Sequence, residues 1–422
     1  MVNLDIKKKM ALILSVGQIL AENGAATDKI ISDTKRVATL MKIPEENFNL
    51  KVMPTVLLLN VLEDEKSNIA FRNYESHGVD MNIVNLVSAL TLKATNKNYS
   101  PRKFQDVLDR IIGQKKIYSP LQVILATGIF CGAFCFLFGG DIFASVYTAI
   151  CASMGKFLQI RLLKWGINSF ITTAAVAFAV TLGAYFTHFL PTQTMWTPLI
   201  ACSLFLIPGI PIMNAITESL GGFLLNGMTK AYHSLLITVS ITVGLIFAVI
   251  IGEEIEEITL SELMPLPNDN FGGILLAGIL TSVAFSFLIN MPKKILPLLG
   301  ILGATALLTR NFMMVELNIT QDIATFFAAT LIGILAIKAQ KIIQTPIQAI
   351  TTPAIIAFVP GVLIYRFLSS CMYIKYMSAE EFFYEIGYGL DALQIIFAMT
   401  VGVSLPSLIA KRFLKKIDRK EL

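Results

Sequence analysis

Of the 422 residues, 55% are hydrophobic and 15% charged, and the mean hydropathy of +0.68 lies far above that of an ordinary soluble globule. The net charge of +5 is small and dispersed, and no basic stripe with interleaved aromatics occurs, which excludes a nucleic-acid binder. Residues 1–118 hold 17 Lys/Arg and 13 Asp/Glu against 17 and 16 in all the rest, so the chain reads as a charged head on a membrane body.

In the head, Lys7, Lys8 and Lys9 before MALILSVGQILA outline a secretory signal, but Gly17 and Gln18 would interrupt its apolar region. Apolar Ile6, Met10, Ile13, Leu14 and Leu20, with polar Ser15, Gln18 and Glu22 between them, instead predict an amphipathic helix ending at Gly24. Thr27 is placed to cap a second helix to Met41, closed by Pro44. Phe48 to Leu62 is β-rich and pairs with Ser67 to Tyr74 across the turn EDEK; helices over Met81–Ala94 and Arg102–Gly113 complete an ααββαα order, a small α+β domain. Its polar candidates for chemistry are Arg72, Glu75, His77 and Asp80. No nucleophile with a base can be named, and GxSxG, HExxH, P-loop and GxGxxG motifs are all absent. No catalytic residue is assigned, and a structural, gating or assembly role is expected of the head.

The body, from residue 119, divides into ten apolar runs: Leu121–Phe138, Ile142–Leu158, Ile167–Phe189, Trp196–Ala215 and Tyr232–Ile251, then Gly272–Ile289, Ile295–Leu308, Ile323–Ile337, Pro353–Tyr373 and Gly387–Ala410. A head in the cytoplasm puts Lys156, Arg161, Lys164, Lys230, Lys293, Lys294, Lys338, Lys341 and the tail KRFLKKIDRK on one side. Asp141, the acidic stretch 252–270, Arg310 and the loop holding Lys375, Glu380, Glu381 and Glu385 fall on the other. Both termini are then cytoplasmic, and 252–270 is an external linker between repeats 119–251 and 271–422. Five spans per repeat make the two inverted with respect to each other. ATGIFCGAF from Ala126 resembles AGILTSVAF from Ala277, about 150 residues on, and Gly128 and Gly132 offer a flat face for close packing. All five cysteines lie in apolar runs, with no CxxC metal site or disulfide framework, so no metal or cofactor is implied.

Two of the runs are broken. LFLIPGIPIMNAITE (204–218) carries Pro208 and Gly209 at mid-run, IIAFVPGVLIYRFLSS (355–370) carries Pro360 and Gly361, and each follows a Thr-Pro pair. Proline removes a helical hydrogen bond, and lipid cannot satisfy the carbonyl this frees, so such breaks persist only where protein or a wet cavity covers them. Broken spans at matching positions of two repeats point to a transporter's binding site, with the two breaks meeting around a shared polar chamber. Candidate substrate contacts are Pro208, Gly209, Asn214, Pro360, Gly361, Tyr365 and Arg366. Arg366 reads either as a fork for a substrate carboxylate or as a cation snorkelling to the outer surface. Glu218 reads as the cap of a cytoplasmic half-helix or, with Asp391, as a proton-coupling carboxylate.

The head with its Gly24-Ala-x-Thr27 turn and Arg72…Gly78-x-Asp80 stretch, followed by LIPGIPIMNA in one five-span unit and FVPGVLIYR in a second, resembles the threonine/serine exporter family of bacterial inner membranes. That resemblance covers essentially the whole chain. It implies an all-α polytopic membrane protein, proton-driven export of threonine and serine or of a dicarboxylate such as succinate, and a kinship with systems split into two chains. Pro208, Gly209, Pro360, Gly361 and Arg366 are the positions it carries over. The expectation is thus a secondary exporter of small carboxylates working by alternating access, embedded in the bilayer and able to associate with a second copy of itself. A passive channel and a membrane-anchored enzyme using Arg72, His77 and Asp80 are the rival readings.

Overall fold

The computed structural model describes residues 6–63, 66–75, 78–253, 270–343, 345–372 and 378–418. Most of the expected acidic linker lies outside the described residues, as does His77.

The head packs helices α1 (Ile6–Glu22), α2 (Thr27–Leu40), α3 (Met81–Asn96) and α4 (Pro101–Ile112) with an antiparallel sheet of β1 (Phe48–Val52), β2 (Val56–Glu63) and β3 (Lys66–Asn73) in the order β1-β2-β3. There are three strands where two were expected: the turn at Met53-Pro54-Thr55 splits the β-rich run, since proline cannot donate to a ladder. The β2–β3 hairpin forms across EDEK as anticipated, with Glu63 opposite Lys66. Central strand β2 alternates, burying Leu57, Leu59 and Val61 against α1. Contact is close because Gly17 has no side chain; a Cβ there would stand 2.9 Å from Leu57 Cδ1. Thr27 does not cap α2. The cap position belongs to extended Ala26, which makes no side-chain bond, and the Thr27 hydroxyl is engaged elsewhere.

Asp80 is the hinge of head and body. One carboxylate oxygen accepts from the Asn82 and Ile83 N–H groups and caps α3, while the other accepts from Asn290 Nδ2 at 2.7 Å. Met81 N–H donates to the Ile289 carbonyl, Ile117 N–H to Asn290 Oδ1, and Tyr118 to the Met291 carbonyl. These bonds tie the start of α5 (Pro120–Leu137) and the connection from α11 (Phe271–Leu288) to α12 (Leu296–Val315) to the head side of the body. The other body helices are α6 (Ile142–Lys164), α7 (Ser169–Tyr185), α8 (Thr197–Ala201), α9 (Gly209–Leu220), α10 (Leu224–Glu253), α13 (Gln321–Ile343), α14 (Ile347–Ile355), α15 (Gly361–Met372) and α16 (Ala379–Asp418).

Among the described residues, six helices are long and apolar enough to cross a membrane, or eight if each of two bent pairs is one span, which makes this a multi-pass membrane protein. Helix α7, with 17 residues, is shorter than that measure, and α6 is not among the six. Several helices outrun the apolar stretches that announced them. Arg161 and Lys164 lie inside α6, Arg310 inside α12, and Glu380 and Glu385 inside α16, all expected in loops. A hydropathy run stops at a charge, but a backbone ladder does not, so long as the charge finds cover.

The two halves repeat the same packings. Helix α5 lies on α6 as α11 lies on α12; α7 on α10 as α13 on α16; α9 on α10 as α15 on α16. Between halves, α5 meets α11, while α9 reaches α16 and α15 reaches α10. Small residues allow the tight crossings: a Cβ on Gly128 would stand 2.5 Å from the Ala149 carbonyl, and one on Gly303 2.6 Å from that of Gly278. The flat face expected at Gly128 and Gly132 is therefore used against α6.

A pair of glycine substitutions separates packing from propensity. At Gly244 a Cβ would come 2.1 Å from the Ala174 carbonyl, whereas at Gly387 it would meet nothing within 4 Å. Gly244→Leu is expected to lower stability by about 1–3 kcal/mol or more through overpacking, and Gly387→Ala to be neutral or to gain up to about 1 kcal/mol. Thermal melts of the detergent-purified protein check both.

Candidate functional site

Each break is built the same way. A turn of 3-10 helix (Leu204–Leu206, Ile356–Phe358) runs into a Pro-Gly pair, and a fresh helix starts at the glycine. Pro208 has φ −78° and ψ 58°, an inverse γ-turn, closed by the Gly209 N–H donating to the Ile207 carbonyl at 2.8 Å. The Gly361 N–H donates to Val359 in the same manner at 2.9 Å. The carbonyls that the prolines leave free, those of Leu204 and Ile356, accept instead from the Ile207 and Val359 N–H groups at 3.2 Å, and the axes bend by 58° and 64°.

The breaks touch. A Cβ at Gly209 would lie 3.0 Å from Ile356 Cδ1, and one at Gly361 would overlap Ile207 Cδ1 and press on Leu204 Cδ2. Glycine here serves close approach between the two repeats. Beside the contact is a narrow recess lined by Phe130, Phe134, Phe205, Phe285, Val359 and neighbouring aliphatics. The polar chamber expected at this level is apolar, because the residues flanking both Pro-Gly pairs are themselves aliphatic or aromatic. Fully buried Ser203, one residue before the first 3-10 turn, has no partner for its hydroxyl among the described residues. Polar lining begins one layer toward the head, in a small cavity between the Gly24–Ala26 turn and Lys29 of the head, Asn214 of α9, and Gln348 and Thr352 of α14.

Of the sequence-predicted residues, Pro208, Gly209, Pro360 and Gly361 form the junction, and Asn214 faces the head-side cavity. The Tyr365 side chain lies outside the described residues. Arg366 is buried on α15, where Glu385 of α16 accepts from both Nε and Nη2; Ser370 Oγ also donates to Glu385, and the guanidinium stacks 4.1 Å from the Tyr388 ring centre. Only Nη1 is left without a partner. Its charge is balanced inside the protein, so it neither snorkels nor stands open as a fork. Sequence reading put Glu385 in a loop and missed this pairing. Asp391 is exposed on α16, with no hydrogen bond or ion pair among the described residues.

Glu218, 2% exposed, ends the first broken span against the head. Its Oε1 accepts from the Thr27 N–H at 3.1 Å, the Thr27 hydroxyl at 3.0 Å and Lys230 Nζ at 2.5 Å; Asn226 Nδ2 donates to the Thr27 hydroxyl and to the Val52 carbonyl. Burial, then the Glu218 charge, pushes the nearby Tyr74 hydroxyl up to about 12, so it stays a neutral donor to the Met53 carbonyl. In the head, Arg72 is spent on Ser15 and the Ala11 carbonyl, and Asp80 on its cap and Asn290; they serve structure separately.

The sequence profile of a family described as "Putative threonine/serine exporter" matches residues 11–252, and that of "Threonine/Serine exporter, ThrE" matches residues 274–409. The chain belongs to the threonine/serine exporter family. Within this exporter family it is similar to a "Probable succinate transporter subunit YjjP" of Escherichia coli (strain K12), 23% identical over 57% of this chain and 93% of that one. The protein of the same description in Klebsiella aerogenes is 22% identical over 47% and 76%. An uncharacterized Haemophilus influenzae protein is 30% identical over 31% and 44%. No solved structure matches.

In this exporter-family member, Glu218→Ala leaves two Thr27 donors and the Lys230 ammonium without their acceptor. Unmade bonds of this kind cost about 1–3 kcal/mol, so hydrogen exchange over residues 24–30 of the intact protein is expected to speed up by at least about tenfold. Unchanged exchange there would show that the contact does not hold the head.

Proposed function

We propose that this protein is a secondary exporter of small carboxylates, of the threonine/serine or the dicarboxylate type, working by alternating access about the two facing Pro-Gly breaks. The observation that carries this reading is the mutual packing of the two breaks, Gly209 against Ile356 and Val359 and Gly361 against Ile207 and Leu204, each glycine opening a half-helix of its own repeat. The start of a half-helix presents unsatisfied N–H groups and a positive dipole end, which suits a carboxylate. The ten-span, inverted arrangement is part of the proposal, with α6 and α7 counted as spans. Support comes from the matched packings of the two halves and from direction. Helix α9 ends at the head and α14 begins there, so the broken spans run oppositely.

We place the head, residues 1–118, and both termini in the cytoplasm of a bacterial inner-membrane protein, in keeping with the Lys/Arg distribution. The head-side cavity is then the cytoplasmic antechamber, floored by Gly24–Ala26. Protons would act at Glu218 in preference to exposed Asp391. Protonation there weakens three bonds between the head and the first broken span at once, linking the proton gradient to access from the cytoplasm. The relatives named as succinate transporter subunits match 57% and 47% of this chain, which agrees with one polypeptide here doing the work of two.

Inverted membrane vesicles given labelled threonine, serine or succinate and an imposed pH gradient test the reading. Gradient-dependent uptake of at least one substrate, abolished by an uncoupler, is the expected outcome. Flux indifferent to the uncoupler at a fixed substrate gradient would make the protein a passive facilitator. The double variant Pro208→Leu with Pro360→Leu is expected to insert normally and to lose transport; full transport in it would remove the breaks from the mechanism.

A further inference from the structure

Two cations lie inside the membrane body without an acid. Lys156 of α6 holds its ammonium 5.9 Å from the centre of the Phe205 ring and donates to Gln159 Oε1 at 2.8 Å. Arg310 of α12 holds its guanidinium 4.7 Å from the centre of the Phe358 ring. Among the described residues neither makes an ion pair, and Arg310 has no hydrogen bond either. Their placement is matched: Phe205 and Phe358 sit in the two 3-10 turns that lead into the breaks, and the cations come from the second helix of each half. Lys156 follows the start of its helix, Ile142, by the same interval that separates Arg310 from Leu296, a rise of about 21 Å along each axis. Helix α12 begins at the head side, and α6, joined to the far end of α5 by a short turn, begins opposite it. The cations therefore fall on either side of the bilayer midplane and bracket the joined breaks.

An unpaired charge at that depth is expensive and marks a ligand or ion path. An aromatic face steadies a cation without cancelling its charge. The buried acids nearest in role are already committed, Glu218 to Lys230 and Glu385 to Arg366. Among the described residues, the two buried carboxylates beside the breaks are each paired with a cation, while Lys156 and Arg310 are paired with none; the unpaired carboxylate of Asp391 is exposed. A zwitterion would bring an ammonium group with no unpaired buried carboxylate to meet it, whereas a dianion would offer a carboxylate to each cation.

We infer that Lys156 and Arg310 are the charge-reading residues of the translocation path, and that the ligand they take is a small dicarboxylate in preference to a zwitterionic amino acid. This rests on the exporter reading and narrows its substrate class. Phe205 lines the recess beside the breaks and Lys156 lies against the same ring, so a ligand passing there would offer the ammonium a carboxylate in place of a ring face.

Titration calorimetry on the purified full-length protein, with succinate, its monoamide succinamate and threonine as probes, reads this directly. Succinate is expected to bind the unaltered chain about tenfold or more tightly than succinamate and threonine. Lys156→Gln and Arg310→Gln should each weaken succinate binding by about tenfold or more, with Lys156→Arg and Arg310→Lys closer to the original. Equal binding of succinate and succinamate, no binding of succinate, or succinate affinity unmoved in both neutral variants would overturn the inference, and the succinamate comparison needs no variant to fold. Flux in proteoliposomes separates the two claims. Binding as described without flux sinks the exporter reading and leaves the site standing; flux with charge-indifferent binding does the reverse.

Discussion

A helix interrupted in lipid exposes polar backbone that water cannot reach, and this structure depends on how that debt is settled. Each Pro-Gly pair turns back on itself through an inverse γ-turn, donating the glycine N–H to the carbonyl two residues earlier. Each then covers the turn with aliphatic side chains of the other repeat. The two breaks cover each other, with the glycine of one packed against Ile356 or Ile207 of its counterpart. The arrangement joins the halves at their least regular point. It also brings the starts of the two half-helices to one junction.

Charge is managed by a second rule, visible once the fold is assembled. Cations at the margins of the two short half-helices are neutralised by carboxylates: Lys230 by Glu218 beside α9, Arg366 by Glu385 beside α15. Cations on the second helix of each half are laid on aromatic rings and left charged. The first kind holds parts together and the second keeps charge available. A catalytic head finds no such support, because Arg72 and Asp80 are each absorbed into the packing of separate elements.

Much of this was legible in the residues. The breaks, the close-packed glycine face at Gly128 and Gly132, the head's helices and the β2–β3 hairpin follow from proline chemistry, small-residue spacing and periodicity. What was misplaced was misplaced for one reason. Hydropathy reading tends to end a span near a charge at its margin, so Arg161, Arg310 and Glu385 read as loop residues, and the pairing of Arg366 with Glu385 could not be foreseen. Thr27 looked like a helix cap because the local pattern fits one; its real partner lies 191 residues away in sequence, a distance that local rules do not span. The chamber was expected to be polar from the logic of freed carbonyls, but those carbonyls are closed by their own turns.

The crossed packing of the half-helices bears on how such a protein can be divided. Helix α9 rests on α16 and α15 on α10, so each half lends its mobile piece to the long helix of the other, and α5 against α11 closes the seam between them. Two polypeptides cut between α10 and α11 would still find all of these surfaces complementary. The peptide link between halves therefore fixes their ratio and their meeting, while cohesion comes from the exchange itself.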